Sequence, residues 1–184
     1  MLMRSTLLAL AVATFALAPM RRADLPAQIF PTYGGNGGTA FTRGCGAGHV
    51  MTGIRYRTGL SMDAVGPLCR PVRADGTLGA EMTPGTMAGG SGGTFGSKRC
   101  QATDVVFSAT YYYGTYIDGM RLGCAEWLTE TRQLGGYRNA LSFGRQIGNA
   151  SASSTCSGSK QPVKSLFGRA ASLVDALGIT CDEP

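Results

Sequence analysis

The sequence predicts an all-β protein in which three copies of one unit of about 55 residues pack around a pseudo-threefold axis. Three observations support this: a repeated cysteine spacing, a repeated aspartate position, and a two-residue alternation of side chains typical of strands. Glycine accounts for 28 of the 184 residues and only 15% of residues are charged, which is typical of turn-rich β proteins rather than helical bundles.

Cysteines and aspartates recur in register along the chain. The two cysteines of a repeat lie 24 or 25 positions apart, and the first cysteines of successive repeats lie 55 and 56 positions apart. An aspartate stands six positions before the second cysteine of every repeat. The landmarks are Cys45, Asp63 and Cys69; Cys100, Asp118 and Cys124; and Cys156, Asp175 and Cys181. One domain of three repeats, at about 33–87, 88–133 and 134–184, is expected after a lead-in at 19–32.

Two strands are predicted in each repeat, the second a short strand that follows the aspartate. In the first strand, β-branched and aromatic residues recur with a period of two, which suits a half-buried pleated surface. In the second strand, apolar residues share a face with the second cysteine. The first-strand faces are Val50, Thr52, Ile54 and Tyr56, and Val105, Phe107, Ala109, Tyr111 and Tyr113. The second-strand faces are Asp63, Val65 and Cys69; Asp118, Met120, Leu122 and Cys124; and Asp175, Leu177, Ile179 and Cys181. Closure around an axis is favoured over a linear solenoid, which would leave both ends open.

The repeat also favours a disulfide within each unit. Six cysteines allow fifteen pairings, but a bridge between the two cysteines of one unit would tie its second strand back to the start of the unit. Each bridge would close a loop of about 25 residues and contribute roughly 3–4 kcal/mol on the chain-entropy model. Metal ligation is the alternative. The sequence contains no Cys-x-x-Cys pair and a single histidine, His49, so neither a metal nor a cofactor is expected.

The N-terminal residues predict a signal peptide over 1–18, with cleavage somewhere between 16 and 27. Arg4 provides a basic start, residues 7–17 form an apolar run, and Ala16-Leu17-Ala18 is a small-x-small cleavage site. The run is shorter than the roughly 20 residues of a membrane span. Together with six cysteines, this predicts a secreted or periplasmic protein that is not inserted in a membrane after cleavage.

The basic residues predict no nucleic-acid partner. The net charge is +6 and the sequence pI is about 9.2, but lysines and arginines are scattered along the chain rather than clustered in runs.

Two recurring loops could carry chemistry. The glycine runs are Gly34–Gly38 and Gly89–Gly93, with a degenerate third copy at 143–148; the Gly-x-x-x-Asp loops are Gly59–Asp63 and Gly114–Asp118, with a third copy at 171–175 that begins with alanine. Each loop has a purely structural interpretation, as a tight turn or as an aspartate that accepts loop amides. Together, a carboxylate and a row of free backbone N–H groups suit the vicinal hydroxyls of a sugar, with an aromatic such as Tyr116 against its apolar face.

These motifs resemble those of the jacalin-related lectins. The resemblance covers about residues 33–182 and rests on the Gly-Gly-x-Gly-Gly run, the strand from Val50 to Arg57, and Gly-x-x-x-Asp with a hydrophobic residue two positions on. It implies a β-prism of three four-stranded Greek-key sheets, with mannose- or galactose-type ligands bound at one end. The cysteine pattern instead resembles the vitelline-membrane outer-layer proteins, another β-prism group.

The lectin resemblance implies that a site combines the aspartate loop of one repeat with the glycine loop of the next. Carried over, the sugar-binding residues are Gly59, Ser61 and Asp63 with Gly89 and Gly90; Gly114, Tyr116 and Asp118 with the degenerate loop at 143–148; and Asp175 with Gly34 and Gly35. The first pairing is the most complete. Because Ala171 replaces a glycine in the last, one or two working sites are expected.

The leading hypothesis is a secreted, non-catalytic carbohydrate-binding protein whose partners are glycans or polysaccharides. The alternative is a disulfide-stabilised structural or matrix protein of the outer-layer type, in which the aspartates only cap loops. An enzyme is not expected, because no Ser/His/Asp arrangement occurs, and Asp63 and Asp118 occupy equivalent positions in separate repeats, too far apart for an acid–base pair. The sequence specifies neither the sugar nor the oligomeric state.

Overall fold

The computed structural model describes residues 26–158 and 160–184, and the predicted signal peptide lies outside them. The described residues form strands and one short 3-10 helix, Cys156–Gly158. The strands are β1 Gln28–Ile29, β2 Tyr33–Gly34, β3 Thr39–Gly44, β4 His49–Thr58, β5 Met62–Pro71, β6 Ala88–Gly89, β7 Thr94–Arg99, β8 Asp104–Tyr113, β9 Ile117–Leu128, β10 Gln133–Gly144, β11 Ala150–Thr155, β12 Val163–Ala170 and β13 Val174–Cys181. Within these ranges there is no helix with the length and apolarity of a membrane span. The predicted all-β class is confirmed.

The strands form three antiparallel sheets, each built on a hairpin of two long strands. The orders are β6-β5-β4-β7 in the first sheet, β10-β9-β8-β11 in the second, and β1-β13-β12-β3 in the third, where β2 also pairs with β13. The third sheet therefore has five strands, where the family resemblance implied four. Buried residues from all three sheets form one core between them, including the apolar residues and cysteines of the predicted faces of β9 and β13.

The third sheet brings together the two ends of the described chain. Strands β2 and β3, from residues 33–44, pair with β13 and β12, from residues 163–181. One sequence repeat thus supplies strands to two sheets: the first repeat gives β2 and β3 to the third sheet and β4 and β5 to the first sheet. The boundaries of the sequence repeats therefore do not coincide with those of the sheets.

The predicted disulfides within each repeat are present, and each one joins two sheets. Cys45 follows β3 of the third sheet and is bonded to Cys69 in β5 of the first sheet. The other two bridges, Cys100–Cys124 and Cys156–Cys181, join the first sheet to the second and the second to the third in the same way. The three sheets are therefore cross-linked in a closed ring.

The predicted alternation of the first strand is interrupted by a bulge at the same place in each hairpin. The register shifts between Met51 and Gly53 in β4 and between Val106 and Ser108 in β8. At this bulge two residues of β8 lie opposite one residue of β9, and the predicted face of β8 is wrong at one position. Phe107 is only half-buried, with its ring 6.1 Å from that of the exposed Tyr137, and Val106 is in the core instead.

Candidate functional site

The three aspartate loops lie at one end of the molecule, and each aspartate contacts the glycine loop with which it was paired from the sequence. The N–H of Gly90 donates to the carbonyl oxygen of Asp63 at 2.8 Å, and the N–H of Gly35 donates to that of Asp175 at 2.8 Å. In the degenerate loop, the N–H of Arg145 donates to the carbonyl oxygen of Asp118 at 2.9 Å. These N–H groups bind the protein's own backbone, so the expectation that Gly35 and Gly90 offer free donors is wrong.

The three aspartate loops share one turn. The first residue of each loop donates its N–H to the carbonyl oxygen two positions on: Gly59 to Ser61, Gly114 to Tyr116, and Ala171 to Leu173, at 3.0, 2.9 and 2.9 Å. Neither Gly59 nor Gly114 has a positive φ. Alanine at 171 therefore forms the same turn, and its departure from the Gly-x-x-x-Asp pattern leaves the backbone unchanged.

Two of the three carboxylates are enclosed by their glycine loops. The side chains of Asp63 and Asp175 are only 9% and 6% exposed. A Cβ atom on Gly92 or Gly93 would lie 2.3 or 2.2 Å from a carboxylate oxygen of Asp63, so these glycines are needed for the close approach of loop and carboxylate. Gly37 and Gly38 surround Asp175 in the same way.

The carboxylate of Asp118 is more accessible. Its glycine loop is one residue longer than the others, since β11 begins six positions after Gly144, whereas β3 and β7 begin five positions after Gly34 and Gly89. An open pocket of about 320 Å³ lies here, lined by Asp118, Arg145, Ile147, Gly148 and Asn149. The site with the degenerate glycine loop is thus the most open of the three.

One carboxylate oxygen of Asp118 is held by another loop. The hydroxyl of Ser61 donates to Oδ1 of Asp118 at 2.8 Å. Among the described residues no other hydrogen bond to this carboxylate occurs, so Oδ2 accepts none from them. Tyr116, predicted to pack against a sugar, is 38% exposed but does not line the pocket.

The three sites also contact one another. A Cβ atom on Gly35 would lie 2.4 Å from the carbonyl oxygen of Thr115, and one on Gly90 would lie 2.4 Å from that of Ser172. The second glycine of each complete run is therefore needed where the loop of another site approaches. With the Ser61–Asp118 bond, these contacts join the three sites in a ring.

Two arginines that were not among the predicted site residues hold the complete glycine loops. Arg57 donates from Nε to the carbonyl oxygen of Gly92 at 2.7 Å and from Nη2 to that of Gly93 at 3.0 Å. Arg169 forms the equivalent bonds to the carbonyl oxygens of Gly37 and Gly38, at 2.8 and 2.7 Å. Both stand two positions before an aspartate loop, where the second repeat has Tyr112. The joint occurrence of this arginine with a complete glycine run is the signal in the sequence that could have revealed them.

No metal centre is built at this end or elsewhere in the part of the chain that the structure describes, where no three histidine, cysteine, aspartate or glutamate residues are placed to hold an ion. The polar side chains that line the pocket beside Asp118 are a carboxylate, which accepts hydrogen bonds, a guanidinium, which donates them, and an amide, which does both.

The fold is that of known lectins, although the sequence matches no protein-family model and no curated protein. The chain is similar to the wild-type Malaysian banana lectin, with 21% identity and a TM-score of 0.58 over 86% of this chain and 100% of that one. It is similar to a mannose-binding jacalin-related lectin from Ananas comosus, with 21% identity and a TM-score of 0.58 over 86% and 99%. It is also similar to Calsepa lectin in complex with a biantennary N-glycan, with 17% identity and a TM-score of 0.57 over 88% and 100%. The chain has the β-prism fold of the jacalin-related lectins.

Proposed function

We propose that this protein is a secreted, non-catalytic carbohydrate-binding protein that binds sugar hydroxyls through its aspartate loops. The observation that carries the proposal is the Asp118 carboxylate, which lines an open pocket at the loop end with one oxygen that accepts no internal hydrogen bond. The similar structures include a mannose-binding lectin and a lectin bound to an N-glycan. Three disulfides suit an oxidising, extracellular compartment.

The chemistry of the Asp118 pocket fits a sugar. Hydroxyl groups donate charge-assisted hydrogen bonds to a carboxylate, and Ser61 keeps that carboxylate in one orientation. The side-chain amide of Asn149 offers both a donor and an acceptor. Ile147, which is 60% exposed, presents an apolar surface to the C–H face of a sugar ring. A single open site of this kind binds in the millimolar to micromolar range, and a glycan polymer that engages two sites binds more tightly through avidity.

The other two sites are proposed to be weaker. The carboxylates of Asp63 and Asp175 must turn away from their glycine loops before they can accept hydrogen bonds from a ligand, because both are nearly buried. Ligand binding at these two sites therefore requires the glycine loops and the carboxylates to move apart first. The residues concerned are Gly59, Ser61, Asp63, Gly89 and Gly90 at one site, and Asp175, Gly34 and Gly35 at the other.

A glycan array with Asp118→Asn, Asp63→Asn and Asp175→Asn tests the proposal. Asparagine keeps the shape of the side chain and removes its charge. The Asp118 variant is expected to lose most of the wild-type signal, and the other two are expected to keep most of it. A folded wild-type protein that binds no glycan contradicts the function, and an equal loss in all three variants contradicts the ranking of the sites.

A structural or matrix role is the second candidate, favoured by the disulfides that link every pair of sheets and by the two aspartates that face their own loops. In that case Asp63→Ala lowers the free energy of unfolding while no glycan signal exists in the wild-type protein. Circular dichroism melting beside the array separates the two candidates.

A further inference from the structure

We infer that the Asp118 pocket selects sugars that carry a carboxylate, such as hexuronic acids, and that Arg145 determines this selection. The inference rests on the proposed function of the same pocket and names its ligand class. Its basis is the pairing of a hydroxyl-binding carboxylate with an arginine that has no partner among the described residues.

Arg145 occupies the position of the second glycine in the other two loops. Its backbone N–H makes the same hydrogen bond to the aspartate carbonyl as those of Gly35 and Gly90, so the three positions are structurally equivalent. At those two glycines a Cβ atom would collide with a carbonyl oxygen of a neighbouring loop. Only the Asp118 site can therefore carry a side chain at this position.

The guanidinium of Arg145 is available to a ligand. The side chain is exposed, and among the described residues it forms no hydrogen bond and has no carboxylate oxygen within 4.0 Å. Arg57 and Arg169, the arginines of the other two sites, are occupied by loop carbonyl oxygens. Arg145 thus adds to the pocket a positive charge that these parts of the protein do not neutralise.

The two charges of the pocket suit the two ends of an acidic sugar. Ring hydroxyls donate to Asp118, and the ring carboxylate accepts two parallel hydrogen bonds from the planar guanidinium of Arg145. Asp118 repels the ligand carboxylate and so fixes the orientation of the sugar. A neutral sugar can use Asp118 but gains nothing from Arg145.

Titration calorimetry with matched methyl glycosides tests the inference. Methyl galacturonide and methyl glucuronide differ from methyl galactoside and methyl glucoside only in the group on C5, which is a carboxylate in the first two and a hydroxymethyl in the others. The wild-type protein is expected to bind at least one uronide about tenfold more tightly than its neutral counterpart, and high salt is expected to reduce the difference. Equal affinities within both pairs overturn the inference while leaving sugar binding intact.

Variants locate the effect. Arg145→Gly, which restores the residue found in the other loops, and Arg145→Gln are both expected to remove the preference and retain neutral-sugar binding, whereas Asp118→Asn is expected to lose both. Lys98→Gln removes one exposed charge on β7 of another sheet and is expected to change nothing. If both Arg145 variants still bind a uronide more tightly than its neutral counterpart, the assignment of this preference to Arg145 is wrong. Tighter binding of methyl galactoside 6-sulfate than of either uronide overturns the choice of a carboxylate over another anion.

Discussion

The hydroxyl of Ser61 donates a 2.8 Å hydrogen bond to the carboxylate of Asp118, although the two residues lie 57 positions apart and belong to the aspartate loops of different repeats. The backbone of Thr115 approaches Gly35, and that of Ser172 approaches Gly90, in the same end of the prism. Each site is therefore in contact with a loop of another site.

Loss of the Ser61 hydroxyl should weaken glycan binding at the Asp118 pocket. In Ser61→Ala the carboxylate is free to rotate, and the affinity for the best array ligand is expected to fall about threefold to tenfold, because a hydrogen bond to a charged group is lost. Titration calorimetry measures the change. Ser91→Ala, an exposed serine in the loop that faces Asp63, is the control and should be neutral. Unchanged or tighter binding in Ser61→Ala would show that this hydrogen bond does not orient the carboxylate.

Contacts between the loops should make the second glycine of a complete run sensitive to a single methyl group. Gly90→Ala places a Cβ atom 2.4 Å from the Ser172 carbonyl oxygen and is expected to lower the free energy of unfolding by about 1–3 kcal/mol. Gly136→Ala in β10, where nothing lies within 4 Å, should change it by less than about 0.5 kcal/mol. Urea denaturation compares the two. If Gly90→Ala and Gly136→Ala have equal free energies of unfolding, the two loops can move apart without loss of stability.

The arginines that hold the glycine loops should control the mobility of those loops. Arg57→Gln removes the two hydrogen bonds to the carbonyl oxygens of Gly92 and Gly93, and amide hydrogen exchange is expected to accelerate at residues 91–93. Arg121→Gln is the control, since this exposed arginine forms no hydrogen bond or ion pair with other described residues. If the exchange rate in Arg57→Gln is unchanged, the packing of the glycines alone restricts the motion of the loop.

Each disulfide joins two sheets, and its removal should destabilise the whole ring. The double variant Cys156→Ser, Cys181→Ser is expected to lose about 2–5 kcal/mol of unfolding free energy, as measured by urea denaturation. Both cysteines are fully buried, so a reductant should open this bridge in the wild-type protein far more slowly in buffer than in denaturant. Rapid reduction under native conditions would indicate that the third sheet opens locally.

Stability should fall at alkaline pH through Tyr111. Burial raises the pKa of the Tyr111 hydroxyl above its usual value of 10.0. A group with a raised pKa in the folded state stabilises the protein fully below its unfolded pKa, and this contribution is lost as the pH rises beyond about 10. Tyr111→Phe should flatten the decline in unfolding free energy between about pH 9 and 11. Burial lowers the pKa of Lys164, but this lysine is unchanged in both proteins, so parallel declines would exclude Tyr111 as the cause.

Features that depend on residues near one another in the chain could be predicted from the sequence. The strand after each aspartate, the turn before it and the pairing of cysteines within a repeat all follow from local spacing, and they hold in the structure. Family resemblance added the contact between each aspartate and its glycine loop, which the hydrogen bonds of Gly35, Gly90 and Arg145 display. The bulge at Phe107 could not be predicted from the sequence, because the alternation of apolar residues gives no sign of an extra residue in the strand.

Which aspartate is open depends on the tertiary structure. In the sequence Asp63 has the complete pair of loops and Asp118 a degenerate one, but burial depends on how closely the backbone of a distant loop approaches the carboxylate. The glycines of the complete run allow that approach and enclose Asp63, whereas the longer third loop leaves Asp118 open beside Arg145. Ser61 and Asp118 belong to the hairpins of two different sheets, and only the packing of these sheets brings the two loops into contact.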